Sequence, residues 1–201
     1  MIMSHYYSEE PISRLRLQKI RAILRGYEFE FYTASGVFSV GRIDKGTQLL
    51  VENMIVKDGW RILDLGCGYG VIGIVAAKLA PHGKVVMTDI NRRALWLARM
   101  NVRLNKVEAN TEIRWGSLYE PVRGEIFDTI ITNPPTSAGL QICYEIIRRA
   151  PEYLRKGGLL QLVARHGKGG ARLADMMERV FGSYEVLAKA GGYWVYASTY
   201  Y

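Results

Sequence analysis

Cysteine is scarce in this chain: two in 201 residues, Cys67 and Cys143, with no CxxC pair and no zinc-ligand spacing. That excludes a disulfide-stapled scaffold and points to a reducing compartment, the cytoplasm. The three histidines are scattered, so no metal site is expected. No apolar run is long enough to span a bilayer, and the opening MIMSHYYSEEP lacks the apolar core of a signal peptide, so no membrane association is expected. Low-complexity tracts, internal repeats and linkers are absent as well. A hydrophobic share of 49% and a charged share of 23% then read as one soluble globular domain spanning 1–201. Acidic residues are in deficit, 19 against 27 Lys and Arg, giving a net charge of +8. Such an excess suits a polyanionic partner, because cationic side chains neutralise phosphates and release counterions. An arginine-rich thermostable surface gives the same balance. The residues set no oligomeric state.

What is present organises into two parts. Leu15, Leu17, Tyr27, Phe29 and Phe31 alternate with Arg14, Arg16, Glu28 and Glu30, interrupted by Arg25-Gly26. This period-two pattern predicts a β-hairpin within an N-terminal extension, residues 1–47. Asp44-Lys45-Gly46-Thr47 opens a short helix carrying Leu49, Leu50, Met54 and Ile55. Over 48–201, strands are expected at 61–65, 84–89, 112–115, 127–132, 159–164, 184–188 and 193–198. Helices are expected at 71–79, 92–104, 140–154 and 171–181. Repeated βα units imply a mostly parallel sheet covered on both faces, and the closing strand pair around Ala190-Gly191-Gly192 adds an antiparallel strand.

Two motifs fall at predicted strand ends. Asp64-Leu65-Gly66-Cys67-Gly68-Tyr69-Gly70 removes side chains where the chain turns into a helix, letting a ligand meet backbone N–H groups and a positive dipole end. Gly68, Gly70 and Gly73 also spell G-x-G-x-x-G, with Asp89 about 20 residues on, as in an NAD fold. Against NAD, an acid opening the loop suits a cationic amino-acid moiety better than a pyrophosphate. Asp89 can hold both ribose hydroxyls in either case. The second motif is Asn133-Pro134-Pro135-Thr136. An exocyclic amino group or carboxamide nitrogen has a delocalised lone pair, and a site that alkylates it must hold both N–H bonds. The Asn133 oxygen can accept one and the Pro134 carbonyl the other, while Pro134 and Pro135 stiffen the turn.

DLGCGYG, an acid ending the next strand, and NPP ending the fourth together resemble a class I S-adenosylmethionine-dependent methyltransferase. Thr33–Ser39 (TASGVFS) and Asp44–Leu50 (DKGTQLL) narrow the resemblance to the ribosomal small-subunit guanine-N2 methyltransferases and their compact single-domain archaeal relatives. The resemblance implies an α/β, Rossmann-like fold with a seven-stranded sheet, mostly parallel with one antiparallel strand, and S-adenosyl-L-methionine as cofactor. It places Asp64, Gly66, Cys67 and Gly68 around the methionine part and Asp89 with Ile90 at the ribose. Ser117 stands where relatives often have an adenine-reading aspartate, beside the Leu118 N–H, and Phe38 covers the cofactor. Asn133, Pro134 and Pro135 become catalytic. Thr136 departs from the common aromatic and cannot stack on a base, leaving Tyr32, Phe38 and Tyr69 as candidate platforms.

Basic groups that could meet RNA are Arg14, Arg16, Lys19, Arg21 and Arg25; Arg92 and Arg93; and Arg165, His166 and Lys168. Arg165 and Lys168 of the last group, with Thr136, are assigned to substrate, because their glycine-rich loop lies on the ligand rim. His166 as a general base has no visible orienting partner. Cys67 reads as a small residue that fits, with no base to activate it. The expected activity is N-methylation of ribosomal or other structured RNA at guanine N2. The alternatives are methylation of a protein glutamine and a non-catalytic module that clamps RNA or protein.

Overall fold

The computed structural model describes residues 14–201, so the expectation for MIMSHYYSEEP lies outside the described residues. A hairpin of β1 (Leu17–Leu24) and β2 (Tyr27–Ala34) comes first. Arg25 (φ 53°) and Gly26 (φ 80°) both take left-handed backbone, the two-residue turn that matches strand twist. Then follow α1 (Lys45–Asn53), β3 (Arg61–Leu65), α2 (Val71–Leu79), β4 (Lys84–Asp89), α3 (Arg92–Leu104), β5 (Thr111–Trp115) and β6 (Phe127–Thr132). The chain continues with α4 (Leu140–Arg149), β7 (Leu154–Arg165), α5 (Gly170–Phe181), β8 (Glu185–Ala190) and β9 (Tyr193–Tyr200). No helix among the described residues is long and apolar enough to cross a membrane.

The main sheet has seven strands in the order β5-β4-β3-β6-β7-β9-β8. β9 alone runs antiparallel to its neighbours. Burial alternates along the strands. Ile62, Val85, Met87, Ile131, Val163 and Val195 point into a core shared with α1, α2, α3 and the hairpin. Leu63, Leu65, Val86, Ile130, Leu160, Leu162 and Tyr196 point into a second core under α4 and α5. Strand order reverses between β3 and β6, where a crevice opens at the strands' carboxyl ends. The Thr132 hydroxyl donates to the Leu65 carbonyl across that gap at 2.8 Å.

Four expectations need correction. The helix from 140 stops at Arg149, because Pro151 has no N–H to continue it; a 3₁₀ turn over Ala150–Tyr153 follows. β7 consequently starts at Leu154 rather than 159, and its ladder with β6 shifts register as it takes in Gly157 and Gly158. Met54 and Ile55 lie past the end of α1. In the hairpin only β2 follows the inward alternation. Phe29 and Phe31 are buried, whereas Leu15 and Leu17 are exposed.

The hairpin has little core of its own and is held to α3 by two asparagines. Asn101 Oδ1 accepts from the Tyr32 N–H at 2.6 Å, and its amide donates to the Tyr32 and Tyr69 carbonyls at 3.0 and 2.8 Å. Asn105 treats Glu30 likewise, accepting its N–H at 3.1 Å and donating to its carbonyl at 2.7 Å. Four residues of helix advance about 6 Å, and two residues of strand about 6.6 Å. The pair therefore matches the repeat of β2 and stands in for a neighbouring strand on its free edge. Asn101 is fully buried. Asn101→Ala is expected to orphan three buried backbone groups and lower stability by roughly 3 kcal/mol or more, against about 1 kcal/mol for the half-buried Asn105→Ala. Urea unfolding of both variants measures the difference; equal losses would contradict the strand-mimic account.

Candidate active site

The crevice at the switch point is a cavity of about 680 Å³, within the range of small-molecule sites. It brings together Phe38, Gly66, Cys67, Gly68, Asp89, Ile90, Ser117, Leu118, Asn133, Pro134, Pro135, Thr136, Arg165 and Lys168. Asp64 is the exception among the sequence-assigned residues. It is fully buried beneath the loop and is not part of the cavity wall.

The glycine loop leaves β3 with the Gly66 and Cys67 N–H groups both donating to the Thr88 carbonyl, at 2.9 and 2.8 Å. Gly66 (φ 74°) and Gly68 (φ 55°) take left-handed backbone, and a Cβ on either would meet no atom within 4 Å. Their missing side chains are open space on the cavity side. Gly73 serves a different end: a Cβ there would lie 2.6 Å from Met87 Cγ, so glycine lets α2 lie close on the sheet. Asp64 Oδ2 accepts the Gly73 N–H at 2.7 Å, while Oδ1 has no partner. Burial pushes this carboxyl up to about 7, against the opposing Gly73 hydrogen bond. Cys67 is buried, and desolvation raises its thiol well above the ordinary range, which suits a space-filling role.

Asp89 ends β4. Its Oδ2 accepts the Gly68 N–H and its Oδ1 the Asn91 N–H, each at 2.8 Å. The carboxylate is thus fixed while still facing the cavity, and burial raises its pKa against those bonds. Asn91 caps α3 through the Ala94 N–H at 3.1 Å and donates to the Gly36 carbonyl at 2.9 Å, and the Arg93 guanidinium donates to the Ser35 carbonyl at 2.8 Å. These bonds draw the segment carrying Phe38 over the β4 end, and the Phe38 side chain is 40% exposed. Opposite, Gly116, Ser117 and Leu118 line the cavity after β5, with Leu118 held at φ 47°.

After β6, Pro135 (φ −76°, ψ 68°) forms an inverse γ-turn in which the Pro134 carbonyl accepts the Thr136 N–H at 2.8 Å. One lone pair of that carbonyl is left. Asn133 Nδ2 donates to Thr47 Oγ1 at 2.9 Å and to Asp44 Oδ2 at 3.2 Å. Asp44 is also the N-cap of α1, accepting the Thr47 N–H at 3.0 Å. A carboxylate only accepts, so the nitrogen end of Asn133 must face Asp44, and Oδ1 is left for the cavity.

Sequence reasoning passed over Asp44, Thr47 and Tyr193, all of which line the cavity. The signal for the first two was the helix cap itself, whose carboxylate serves two elements. Of the proposed platforms, Phe38 and Tyr69 line the cavity and Tyr32 does not. His166 does have a partner: Nδ1 lies 2.7 Å from the Tyr196 hydroxyl, and its ring stacks on Trp194 at 3.6 Å, outside the cavity wall. In the N-terminal basic group, Lys19 and Arg21 pair with Glu30, and Arg25 caps the end of α1 through the Val51, Glu52 and Met54 carbonyls. Among the described residues no His, Cys, Asp and Glu groups could hold a metal ion.

Comparison with known proteins agrees with this geometry. The methyltransferase small domain model matches residues 28–197. The Bacillus subtilis (strain 168) protein YbxB is 34% identical over 195 residues, 95% of this chain and 96% of that one. Ribosomal RNA small subunit methyltransferase C of Haemophilus influenzae (strain PittGG) is 36% identical over 170 residues, 83% of this chain and 50% of that protein. The structure of the T. thermophilus 16S rRNA N2 methyltransferase (RsmC), in complex with AdoMet and guanosine, superposes with a TM-score of 0.81 at 25% identity. That match covers 95% of this chain and 52% of the other, so this chain spans about half the length of the two named rRNA methyltransferases. The sheet order, the glycine loop after β3 and the matched span agree: the chain belongs to the methyltransferase small domain family.

Proposed function

We propose that this chain transfers a methyl group from S-adenosyl-L-methionine to the exocyclic amino group of guanine, N2, in ribosomal RNA. The observation that carries the reading is the Asn133 carboxamide, whose nitrogen is bound by Asp44 and Thr47 so that its oxygen is the end offered to the cavity. When bound, S-adenosylmethionine supplies a methyl carbon made electrophilic by its sulfonium. The residues present fit that group. Gly66 and Gly68 leave room over the loop backbone, and the orphaned Asp64 Oδ1 leaves a buried acceptor beneath a cationic amino-acid moiety. Asp89, fixed by two backbone N–H groups, would hold the ribose hydroxyls beside Ile90, and Ser117, the Leu118 N–H and Phe38 would surround the adenine.

The chain's own part in the reaction is orientation. Asn133 Oδ1 and the free lone pair of the Pro134 carbonyl accept the two amino N–H bonds, turning the nitrogen lone pair toward the methyl carbon. Because displacement needs reacting atoms within roughly 3–3.5 Å and in line, acceptors fixed by a γ-turn and a two-ended hydrogen bond contribute directly to rate. The proton leaves with solvent, since no strong base adjoins the amide. Arg165 and Lys168 on the rim, with the net charge of +8, suit phosphates better than a glutamine side chain. In this reading 1–201 works as one domain, in the cytoplasm. The hairpin extension is part of the site because its last residues, Asp44 and Thr47, hold Asn133.

The direct test is transfer of labelled methyl to deproteinised small-subunit rRNA and to the assembled particle, with nucleoside analysis of the product. N2-methylguanosine is expected. Label found only in protein would favour the glutamine reading, and tight cofactor binding without turnover would favour the clamp. Asn133→Ala is expected to abolish methylation with cofactor affinity nearly unchanged. Asp44→Ala and Thr47→Val, which free the amide to rotate, should lower kcat roughly tenfold to a hundredfold. Isothermal titration beside initial rates separates the two effects, and a large loss of cofactor affinity in Asn133→Ala would overturn its role.

Asp64 carries a separate pH signature. Its folded pKa, about 7, lies above the ordinary carboxylate value, so the folded state binds more protons between about pH 4 and 7. Its contribution to stability is complete below pH 4 and is lost as pH rises through 7. Asp64→Asn should therefore flatten that decline. An unchanged slope in urea midpoints from pH 5 to 8 would contradict the assignment.

A further inference from the structure

Thr136 has no π surface, so a base presented to Asn133 must find its stacking partner elsewhere in the cavity. Three aromatic side chains line it. Tyr69 belongs to the cofactor loop, is 5% exposed, and spends its hydroxyl on the Arg42 carbonyl at 3.1 Å. Phe38 is carried by the segment tied to Asn91 and Arg93, over the β4 end where Asp89 sits. The third is Tyr193, the first residue of β9, half-buried on the Asp44 side.

The seat of Tyr193 is specific. A Cβ placed on Gly46, in the first turn of α1, would lie 2.9 Å from Tyr193 Cδ1 and Cε1 and 3.0 Å from Asp44 Oδ2. Ring and carboxylate are therefore neighbours across Gly46, and the carboxylate in turn holds the Asn133 amide. Gly46 does not have the positive φ that demands glycine, and glycine weakens a helix. What its missing side chain provides is room for the ring. On β7, Arg165 is the register partner of Tyr193, and its guanidinium carbon lies 4.9 Å from the ring centroid.

We propose that the Tyr193–Arg165 pair is the platform on which the target base stacks, replacing the aromatic side chain that position 136 lacks. Bases stack both on aromatic faces and on arginine guanidinium planes. The pair and the acceptors that would grip the amino group line the same cavity, with Asp44 Oδ2 a neighbour of both the ring and the Asn133 amide. The inference deepens the guanine-methylation reading and rests on it for the identity of the base, while the platform itself requires only a planar ring.

The test is saturation-transfer NMR, which reads weak binding, with guanosine, adenosine, cytidine and free glutamine as probes on the wild type, Tyr193→Phe, Tyr193→Leu and Gly46→Ala. Tyr193→Phe keeps the ring but gives up the hydroxyl's bond to Arg165, and should lose less guanosine affinity than Tyr193→Leu. Tyr193→Leu should lose roughly ten- to a hundredfold in guanosine affinity and in kcat/KM for RNA, with cofactor affinity unchanged. Gly46→Ala keeps the aromatic ring but displaces it, and is expected to show the same loss in milder form. Guanosine binding indifferent to Tyr193→Leu overturns the platform, as does a loss in Tyr193→Phe equal to that in Tyr193→Leu, or silence from all three nucleosides on the wild type. Binding of adenosine or cytidine in preference to guanosine, still lost in Tyr193→Leu, supports the platform and overturns the guanine assignment. Preference for glutamine overturns both.

Discussion

A carboxamide carries a donor and an acceptor on one rigid plane, the same pair that each peptide presents at a strand edge. This chain uses that equivalence wherever its N-terminal segment meets the α/β core. Asn101 and Asn105 serve β2 as a missing strand would. Gln161, fully buried in β7, accepts the Ile55 N–H at 2.7 Å and donates to the Ile55 carbonyl at 2.8 Å, fixing the exit of α1. Asn91 fixes the segment at Gly36. Asn133 belongs to the same set, but here only the donor end is used. Its partners at the entry of α1 consume the nitrogen, and the oxygen is left for the cavity. The constraint that attaches the extension is thus the one that orients the Asn133 amide.

Strained backbone also reaches the cavity wall. Among the described residues, four non-glycine residues take positive φ, and two of them, Ser39 and Leu118, line the crevice. Left-handed backbone costs such residues on the order of 1 kcal/mol. Ser39 is held by its hydroxyl on the Arg42 carbonyl at 2.7 Å, within the segment between β2 and α1. Leu118 sits in the turn that brings Ser117 and its own N–H to the rim. Both sites lie in loops pinned at each end by helix caps or strand ends, which lets the surrounding packing sustain the conformation.

Much of this was legible in the residues. Period-two and βα patterns gave the strand order's raw material, and DLGCGYG, Asp89 and NPP each stood at a predicted strand end that the structure brings to one crevice. What the residues did not show was contact between distant elements. Pro151 in a favourable helical pattern was outweighed by apolar spacing, so α4 was read too long. Asp44 was visible as a helix cap but not as the partner of Asn133, 89 positions away. Tyr193 looked like an ordinary strand aromatic, because only the folded hairpin of β8 and β9 brings it against Gly46. Asp64 shows the converse. Its place in the motif suggested direct exposure to a ligand, yet it works from beneath, through the Gly73 N–H at the start of α2.

The charge distribution follows the same logic of ends. Most ion-pair residues of the sheet stand near strand starts, with Arg114, next to last in β5, the exception. Arg61 and Arg114 meet Glu125, Lys84 and Arg114 meet Glu112, and Arg155 meets Asp128. Partly exposed pairs of this kind add little stability individually, but they neutralise the amino-terminal edge of the sheet. Toward the carboxyl-terminal edge, Arg92 and Arg165 lie against the rings of Trp115 and Tyr193, and the Arg165 guanidinium also bonds the Tyr193 hydroxyl and feels the Asp44 carboxylate. Of the cations behind the net charge of +8, Arg165 and Lys168 stand on the cavity wall itself. Cations on the rim of a crevice favour the approach of an anionic partner over a cationic one.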